Sequence, residues 1–303
     1  MHSHLLHNGV IRETSAQFLA AGQVGLLNGW GVFSTIRVFG GVLFAWERHW
    51  DRMKRDAHLL RVPFPEDREA LHADLMKLIE ANGAVNATLR VCIVRNKGGS
   101  WEGPGIQADY DVIALTTVLT EWKQGVKLGV QPQARHAGCE FAGAKILSWS
   151  ANLVWLERGR AHGFDEMVLL NERDEVAECT SANIFASFGH EVRTPPISSG
   201  CLPGITRELL LGDAAASGYK LKEQTLFLPD LLAADSVFIT STTRDLLAVA
   251  EIDGRPVGQS PEARLALQAA FSGYVDSYVR SHAASPASSA ASSSVSGPAP
   301  VLK

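Results

Sequence analysis

The residues best suited to chemistry gather around one lysine. The stretch EFAGAKILSWSANLVWLERG sets Lys145 among Ala142, Ala144, Ile146, Leu147 and Trp149. Two readings of such a lysine compete. At a strand end, its stem can cover apolar surface while the ammonium stays in water. Alternatively, partial desolvation lowers the amine's pKa, so that it attacks a carbonyl and forms a Schiff base. Most lysines are surface residues, so other parts of the chain must decide.

Four further motifs bear on that choice. HWDR puts His49 and Arg52 three apart on one face of a predicted helix, where Arg52 can hold a phosphate through two parallel hydrogen bonds. GITR puts the amides of Ile205 and Thr206 at a helix start behind Pro203 and Gly204, and free amides there suit an anion. ITSTTRD ends a strand in Ser241, Thr242 and Thr243, whose hydroxyls can donate to phosphate oxygens. EVAECTSANIF ends a strand at Glu178 before a turn of small residues, where a carboxylate facing a cleft can pair with a protonated ring nitrogen. Each motif also has an ordinary explanation: a common helix start, a polar turn, a solvated helical arginine, a solvent-facing glutamate. A lysine for a Schiff base, an acid for a ring nitrogen, and an arginine, amides and hydroxyls for a phosphate together describe one ligand. It is pyridoxal 5'-phosphate (PLP), whose electronics are tuned by the acid at its pyridine nitrogen.

The elements that must position these residues are strands and helices in mixed order. GWGVFSTIRVFGGVLFAWE reads as two β runs around Gly40 and Gly41, a hairpin signature. ERHWDRMKRDAHLLRV follows as an amphipathic helix ended by Pro63. EDREALHADLMKLIEANG is a second helix with Leu71, Leu75, Leu78 and Ile79 on one face. The strands ATLRVCIVR and DVIALTTV come next, and the polar LTEWKQG marks a boundary before the strand VKLGV. After Lys145, SANLVWLERGRAHG is a helix capped by Ser150 and stopped by Gly163. DEMVLLN, EVAEC and ANIFASF are short strands, GITRELLLGDAAASG is a helix, and ADSVFITSTT is an apolar strand. With no GxGxxG or Walker loop, this is a mixed α/β fold of two layers rather than a dinucleotide-binding unit.

Composition narrows the partners. The 303 residues are 46% hydrophobic and 20% charged, enough for one or two globular domains. A net charge of -4 gives no electrostatic case for nucleic acid or an anionic membrane. No apolar run reaches the roughly 18 residues a membrane span needs, and the start MHSHLLHNGVIRETS has no signal-peptide pattern. The four cysteines form no CxxC pair and the ten histidines no HExxH, so neither a metal nor a disulfide framework is expected, and a reducing cytoplasm is.

The order and spacing of the motifs resemble the class IV aminotransferases, the fold-type IV PLP enzymes. That family includes branched-chain aminotransferases, D-amino acid aminotransferases and aminodeoxychorismate lyase. The resemblance runs from about Asn8 to Ser281 and rests on AKILSWSANL, GFDEMVLLNERDEVAECTSANIF, LPGITRELLL and ADSVFITSTTRDLLAVAEIDGRPVG. It implies that Lys145 is the Schiff-base lysine, Glu178 the partner of the pyridine nitrogen, and Arg52 the phosphate arginine of an HxxR motif. It further implies Ile205 and Thr206 at the phosphate-binding helix start, Ser241 and Thr242 in a hydroxyl-rich phosphate loop, and Leu202 packing on the cofactor ring. A two-domain fold follows from the same resemblance. A small N-terminal α/β domain is expected over 1–120, a large PLP-binding domain over 121–281, and a homodimer with active sites near the interface. Residues 282–303, rich in Ser, Ala and Pro, form a tail expected to be disordered.

Departures divide the motifs between subfamilies. Branched-chain enzymes usually carry a glutamate where this chain has Ser34 in VFSTIR, and a tyrosine where it has Ser150. D-amino acid enzymes lack an obvious match to RVCIVRNKGGSWEGPG, although Arg95 falls near the arginine they use for the substrate carboxylate. STIRV, the glycine-rich stretch after Arg95 and ECTSAN resemble aminodeoxychorismate lyase. The leading expectation is transamination between a small, hydrophobic, branched-chain-like amino acid and a 2-oxo acid. The alternatives are a lyase that releases pyruvate and 4-aminobenzoate, and a PLP-binding protein without catalysis. Phe33, Arg37, Arg90, Arg95 and Trp149 are candidates to line the substrate pocket, with Arg95 for the carboxylate.

Overall fold

The computed structural model describes residues 1–283 apart from 124, 215 and 217. The first half forms strands β1 (His4–His7), β2 (Val10–Glu13), β3 (Gly31–Phe39), β4 (Val42–Leu43), β5 (Ala87–Arg95) and β6 (Tyr110–Thr117). They join in one sheet of order β2-β1-β6-β5-β3-β4. β3 and β5 are rich in β-branched residues and pair antiparallel from Gly31↔Val94 to Val38↔Ala87. The predicted hairpin is present, with Gly40 and Gly41 at φ 54 and 84 carrying the turn from β3 to β4.

Alternation gives this sheet two different faces. Val32, Ile36 and Val38 of β3 and Leu89, Val91 and Ile93 of β5 are buried against Trp50, Met53, Leu75 and Leu78 of two helices. These helices are α2 (Trp46–Leu59) and α3 (Arg68–Ala81), preceded by the short α1 (Val24–Asn28). Each such fully buried leucine or phenylalanine contributes about 1.5–3 kcal/mol. α3 is capped by Asp67, whose carboxylate accepts from the amides of Glu69 and Ala70. α2 ends earlier than Pro63 suggested, because Arg61 turns left-handed at φ 53 and the Val62 amide closes onto the Ala57 carbonyl.

The second half holds β7 (Val126–Arg135), β8 (Glu166–Asn171), β9 (Val176–Cys179), β10 (Asn183–Phe188), β11 (Glu191–Thr194), β12 (Lys220–Glu223), β13 (Ser236–Ser241), β14 (Asp245–Ile252) and β15 (Arg255–Pro256). Their order is β12-β11-β10-β13-β14-β7-β8-β9, with β15 on β14. β7 and β8 run parallel, joined across α4 (Ser150–Ala161). Ser150 is the first helical residue of α4 rather than its cap, a position held by Trp149. α5 (Ile205–Leu211) is shorter than predicted because Gly212 leaves helical geometry at φ -122, ψ -93. After α6 (Leu228–Ala233) comes α7 (Glu262–His282), which sequence reading missed. It buries Ala263, Leu267, Phe271, Val275 and Tyr278. Phe44, just after β4, meets the rings of Phe271 and Tyr278 at 5.9 and 5.3 Å, which ties the first sheet's edge to α7. α7 carries helix through His282, so the tail does not begin there; the rest of the predicted disordered tail, 284–303, lies outside the described residues. No helix among the described residues is long and apolar enough to cross a membrane.

Candidate active site

Lys145 is not at a strand end. It lies in the connection between β7 and α4, and that connection is laced onto β3. Ile146 bridges Val32 antiparallel, the Phe33 amide donates to the Lys145 carbonyl at 3.1 Å, and the Leu147 amide donates to the Gly31 carbonyl at 2.9 Å. Glycine at 31 permits this approach, since a Cβ there would collide with the Ile93 carbonyl and the Leu147 side chain. From below, the Lys145 amide donates to Asp56 Oδ2 of α2 at 3.0 Å. The backbone is thus fixed from two sides, and Nζ rests 4.6 Å from the centroid of Phe33 and 4.9 Å from that of Trp149. Burial among these rings, with Arg52 and Arg90 nearby, pushes the amine down to about 7, against the opposing pull of Glu178 and Asp56.

Arg52 approaches from the same helix as Asp56. His49, Arg52 and Asp56 lie at helical spacing on one buried face of α2. Arg52 Nη2 donates to Ser34 Oγ at 2.8 Å, and Nη1 reaches the Pro203 carbonyl at 3.4 Å. Its Nε is buried without a partner. Burial lowers its pKa to about 10, opposed by Asp56.

Glu178 is the penultimate residue of β9, buried, where Arg135 of β7 donates Nε to its Oε1 at 3.0 Å and the Leu202 amide donates to Oε2 at 3.0 Å. Arg135 was not singled out from the sequence. The Leu202 side of the site is set by a sharp entry into α5. Glycine at 204 is required, because a Cβ would collide with Asn183 Oδ1, whose amide nitrogen holds the Leu202 carbonyl at 2.8 Å. The first amides of α5, at Ile205 and Thr206, have no intrahelical acceptor. Beside them, β13 ends at Ser241, and the turn of Thr242 and Thr243 follows. A second buried pair lies behind that turn. Arg244 Nη2 donates to Glu166 Oε2 at 3.2 Å and to Ser181 Oγ at 3.0 Å, while Nη1 reaches the Ser181 carbonyl at 3.0 Å and Ser241 Oγ at 3.3 Å. Glu166 also accepts from the hydroxyls of Thr180 and Ser181. Trp122, from the predicted boundary segment, lies 4.0 Å under the Arg244 guanidinium and donates to the Thr243 carbonyl at 2.8 Å.

These groups surround one cavity of about 280 Å³, close to the lower bound of about 300 Å³ for small-molecule sites. Lys145, Arg52, Glu178, Leu202, Ile205, Thr206, Ser241, Thr242 and Phe33 all line it. Trp149 and Arg90 line it as well, with the Arg90 guanidinium stacked 4.0 Å over the Phe33 ring. Arg95 does not. Its Nε and Nη1 donate to the carbonyls of Lys97 and Arg61, and it stacks 4.1 Å over Trp30, so its donors tie backbone together outside the cavity. It lies five positions after Arg90 on β5, and its register partner is Tyr110, at the strand's far end. Arg37 is also outside, half-buried over Phe39. Thr180, Ser181, Thr240 and Arg244 are lining residues that sequence reading did not single out, although Arg244 directly follows the hydroxyl run in ITSTTRD.

The residues present fit PLP. The cavity offers an amine shifted toward neutrality, a paired carboxylate across from it, and the apolar Leu202. It also leaves Arg52 Nε and Thr240 Oγ1 buried without partners, which suits an incoming anion. A family model described as amino-transferase class IV matches residues 31–252. A putative branched-chain-amino-acid aminotransferase of Methanocaldococcus jannaschii is 28% identical over 236 residues, covering 77% of this chain and 82% of that protein. A D-alanine aminotransferase of Bacillus licheniformis is 27% identical over 258 residues, covering 84% and 90%. The solved branched-chain amino acid aminotransferase of Escherichia coli shares the fold at a TM-score of 0.81 and 26% identity, over 91% of this chain and 95% of that one. The family match spans most of the chain and includes every cavity residue named above, so this chain belongs to the class IV aminotransferases, a family of PLP-dependent transaminases.

Proposed function

We propose that this transaminase binds PLP in the cavity at Lys145 and moves an amino group from a small, hydrophobic, branched-chain-like amino acid to a 2-oxo acid. The observation that carries the proposal is the single cavity in which a lysine pushed down to about 7 meets Glu178 on one side and Arg52 on the other. When bound, PLP supplies a carbonyl that captures amines and a ring that stores the electron pair left when the donor's Cα–H bond breaks. Lys145 Nζ, free of a proton in a large fraction of molecules near neutral pH, is both the amine that holds the carbonyl at rest and the base that carries the proton once displaced. Glu178, steadied by Arg135 and the Leu202 amide, takes the ring nitrogen. Arg52, the amides of Ile205 and Thr206 and the hydroxyls of Ser241 and Thr242 take the phosphate. Leu202 packs on the ring.

For the substrate, Phe33 and Trp149 give an apolar wall, their rings edge to face at 5.6 Å. Arg90, which shares that wall, takes over the role of carboxylate partner from Arg95. The same proposal assigns the two sheets to two domains meeting at the cavity, the assembly to a homodimer and the site of action to the cytoplasm. Addition of an amino donor alone to the PLP-loaded protein is expected to replace the visible cofactor band with that of the amino form. Release of pyruvate and 4-aminobenzoate from aminodeoxychorismate, without that spectral change, would instead establish the lyase.

A further inference from the structure

Ser34 occupies a core-facing position of β3. Its neighbours in the alternation, Val32, Ile36 and Val38, are fully buried toward α2, and so is Ser34. A hydroxyl placed there is unfavourable unless both its proton and its lone pairs are used. Both are. Arg52 Nη2 lies 2.8 Å from Ser34 Oγ, and Ser34 Oγ lies 2.7 Å from His49 Nδ1. A guanidinium only donates, so the serine accepts from Arg52, and it can give its one proton to His49 Nδ1 in the tautomer that carries its hydrogen on Nε2. Among the described residues His49 Nε2 is buried without a hydrogen-bond partner, so the contact with Ser34 is the one that orients the ring. Burial, together with Arg52 and Lys145, holds the His49 pKa well below its ordinary value, so the imidazole is uncharged at neutral pH.

The direction of this chain matters for the arginine at its head. A free arginine carries about 2 kcal/mol of rotamer entropy, and here one arm of the fork is already tied down. Among the described residues, Arg52 forms no ion pair, since Asp56, one turn on, is engaged by Arg55 and the Lys145 amide. A hydroxyl orients the guanidinium without neutralising it. We propose that Ser34 and His49 are positioning residues, a relay that sets the rotamer of Arg52 and so the grip of the site on the cofactor's phosphate. The inference rests on the assignment of Arg52 to the phosphate made above.

The test compares PLP with pyridoxal, which lacks the phosphate, as ligands of the cofactor-free protein, each titrated by the absorbance of the protein-bound carbonyl. Ser34→Ala is expected to weaken PLP about tenfold, the scale of one hydrogen bond to a charged group, and to leave pyridoxal unchanged. His49→Leu, which removes the acceptor, should shift the same ratio in the same direction. His49→Asn, which restores an acceptor near the Nδ1 position, should recover most of it. Thermal unfolding of each cofactor-free variant separates this from loss of fold, which would weaken both ligands alike. Equal weakening of PLP and pyridoxal by Ser34→Ala, or weakening of neither, overturns the relay provided Arg52→Gln still discriminates between the two ligands. An Arg52→Gln protein that treats PLP and pyridoxal as wild type does would remove the phosphate assignment itself.

Discussion

The cavity wall on the side of β3 and α2 gathers Arg52, Arg90 and Lys145, and among the described residues none of the three is in an ion pair. The opposite wall, on the second sheet, is charged too, but there each acid has its base. Glu178 is matched with Arg135 and Glu166 with Arg244, and hydroxyls and amides occupy the remaining oxygens. Burying a charge without a partner is unfavourable on either wall. The difference is that the second wall settles its charges within the fold, while the first leaves its positive charge for a ligand to neutralise. Stability should therefore depend on the pairs, and function on the cations.

Breaking each wall in turn should separate the two properties. Lys145→Ala is expected to slow the amino-donor half-reaction by about 10³-fold or more, the scale of losing a positioned acid–base group and nucleophile, as measured by stopped-flow absorbance. It should not destabilise the cofactor-free protein. The Lys145 pKa falls from 10.5 to about 7 on folding, so between those values the unfolded chain holds the proton that the folded one has lost. Stability then rises with pH through that window, and the penalty for charging the buried amine is full below about 7. Removing the amine should raise the unfolding temperature at pH 6 or leave it unchanged. Glu166→Ala should do the reverse, lowering unfolding free energy by about 3–5 kcal/mol because Arg244 is left buried and uncompensated, as read by urea denaturation.

The pH dependence of cofactor capture sharpens the comparison at a smaller scale. With an amine titrating near 7, the capture rate should rise about tenfold from pH 6 to 8 and then level off. A lysine with its ordinary pKa would keep rising through pH 9. The smallest effect is expected at the arginine that the cavity excludes. Arg95→Ala should leave the donor KM within about twofold and lower stability by about 1 kcal/mol through its lost bonds to the Lys97 and Arg61 carbonyls. Arg90→Ala, by contrast, should raise that KM.

The pattern of what was legible in the sequence follows the same division. Lys145, Arg52, Glu178, Leu202, Ile205, Thr206, Ser241 and Thr242 each sit in a contiguous motif whose local geometry aims them, and all reach the cavity. Their partners do not announce themselves. Arg135 and Glu178 are 43 residues apart, and Lys145 and Asp56 are 89 apart, so both pairings depend on how strands and helices dock. Arg95 lies an odd five positions from Arg90, so alternation turns it to the opposite face of β5, with Leu89, Val91 and Ile93 and away from the cavity. α7 was legible and missed: Ala263, Leu267, Phe271 and Val275 recur every four residues just after Pro261. α5 stops short of the run GITRELLLGDAAASG because the chain leaves helical geometry at Gly212.

The central claim is that Lys145 carries the cofactor. Borohydride reduction of the PLP-loaded protein, followed by mass mapping of its peptides, tests it directly. The reduced cofactor is expected on the peptide containing Lys145, and Lys145→Ala is expected to fix none. Cofactor fixed at another lysine, or a wild-type protein that retains no PLP, would contradict it.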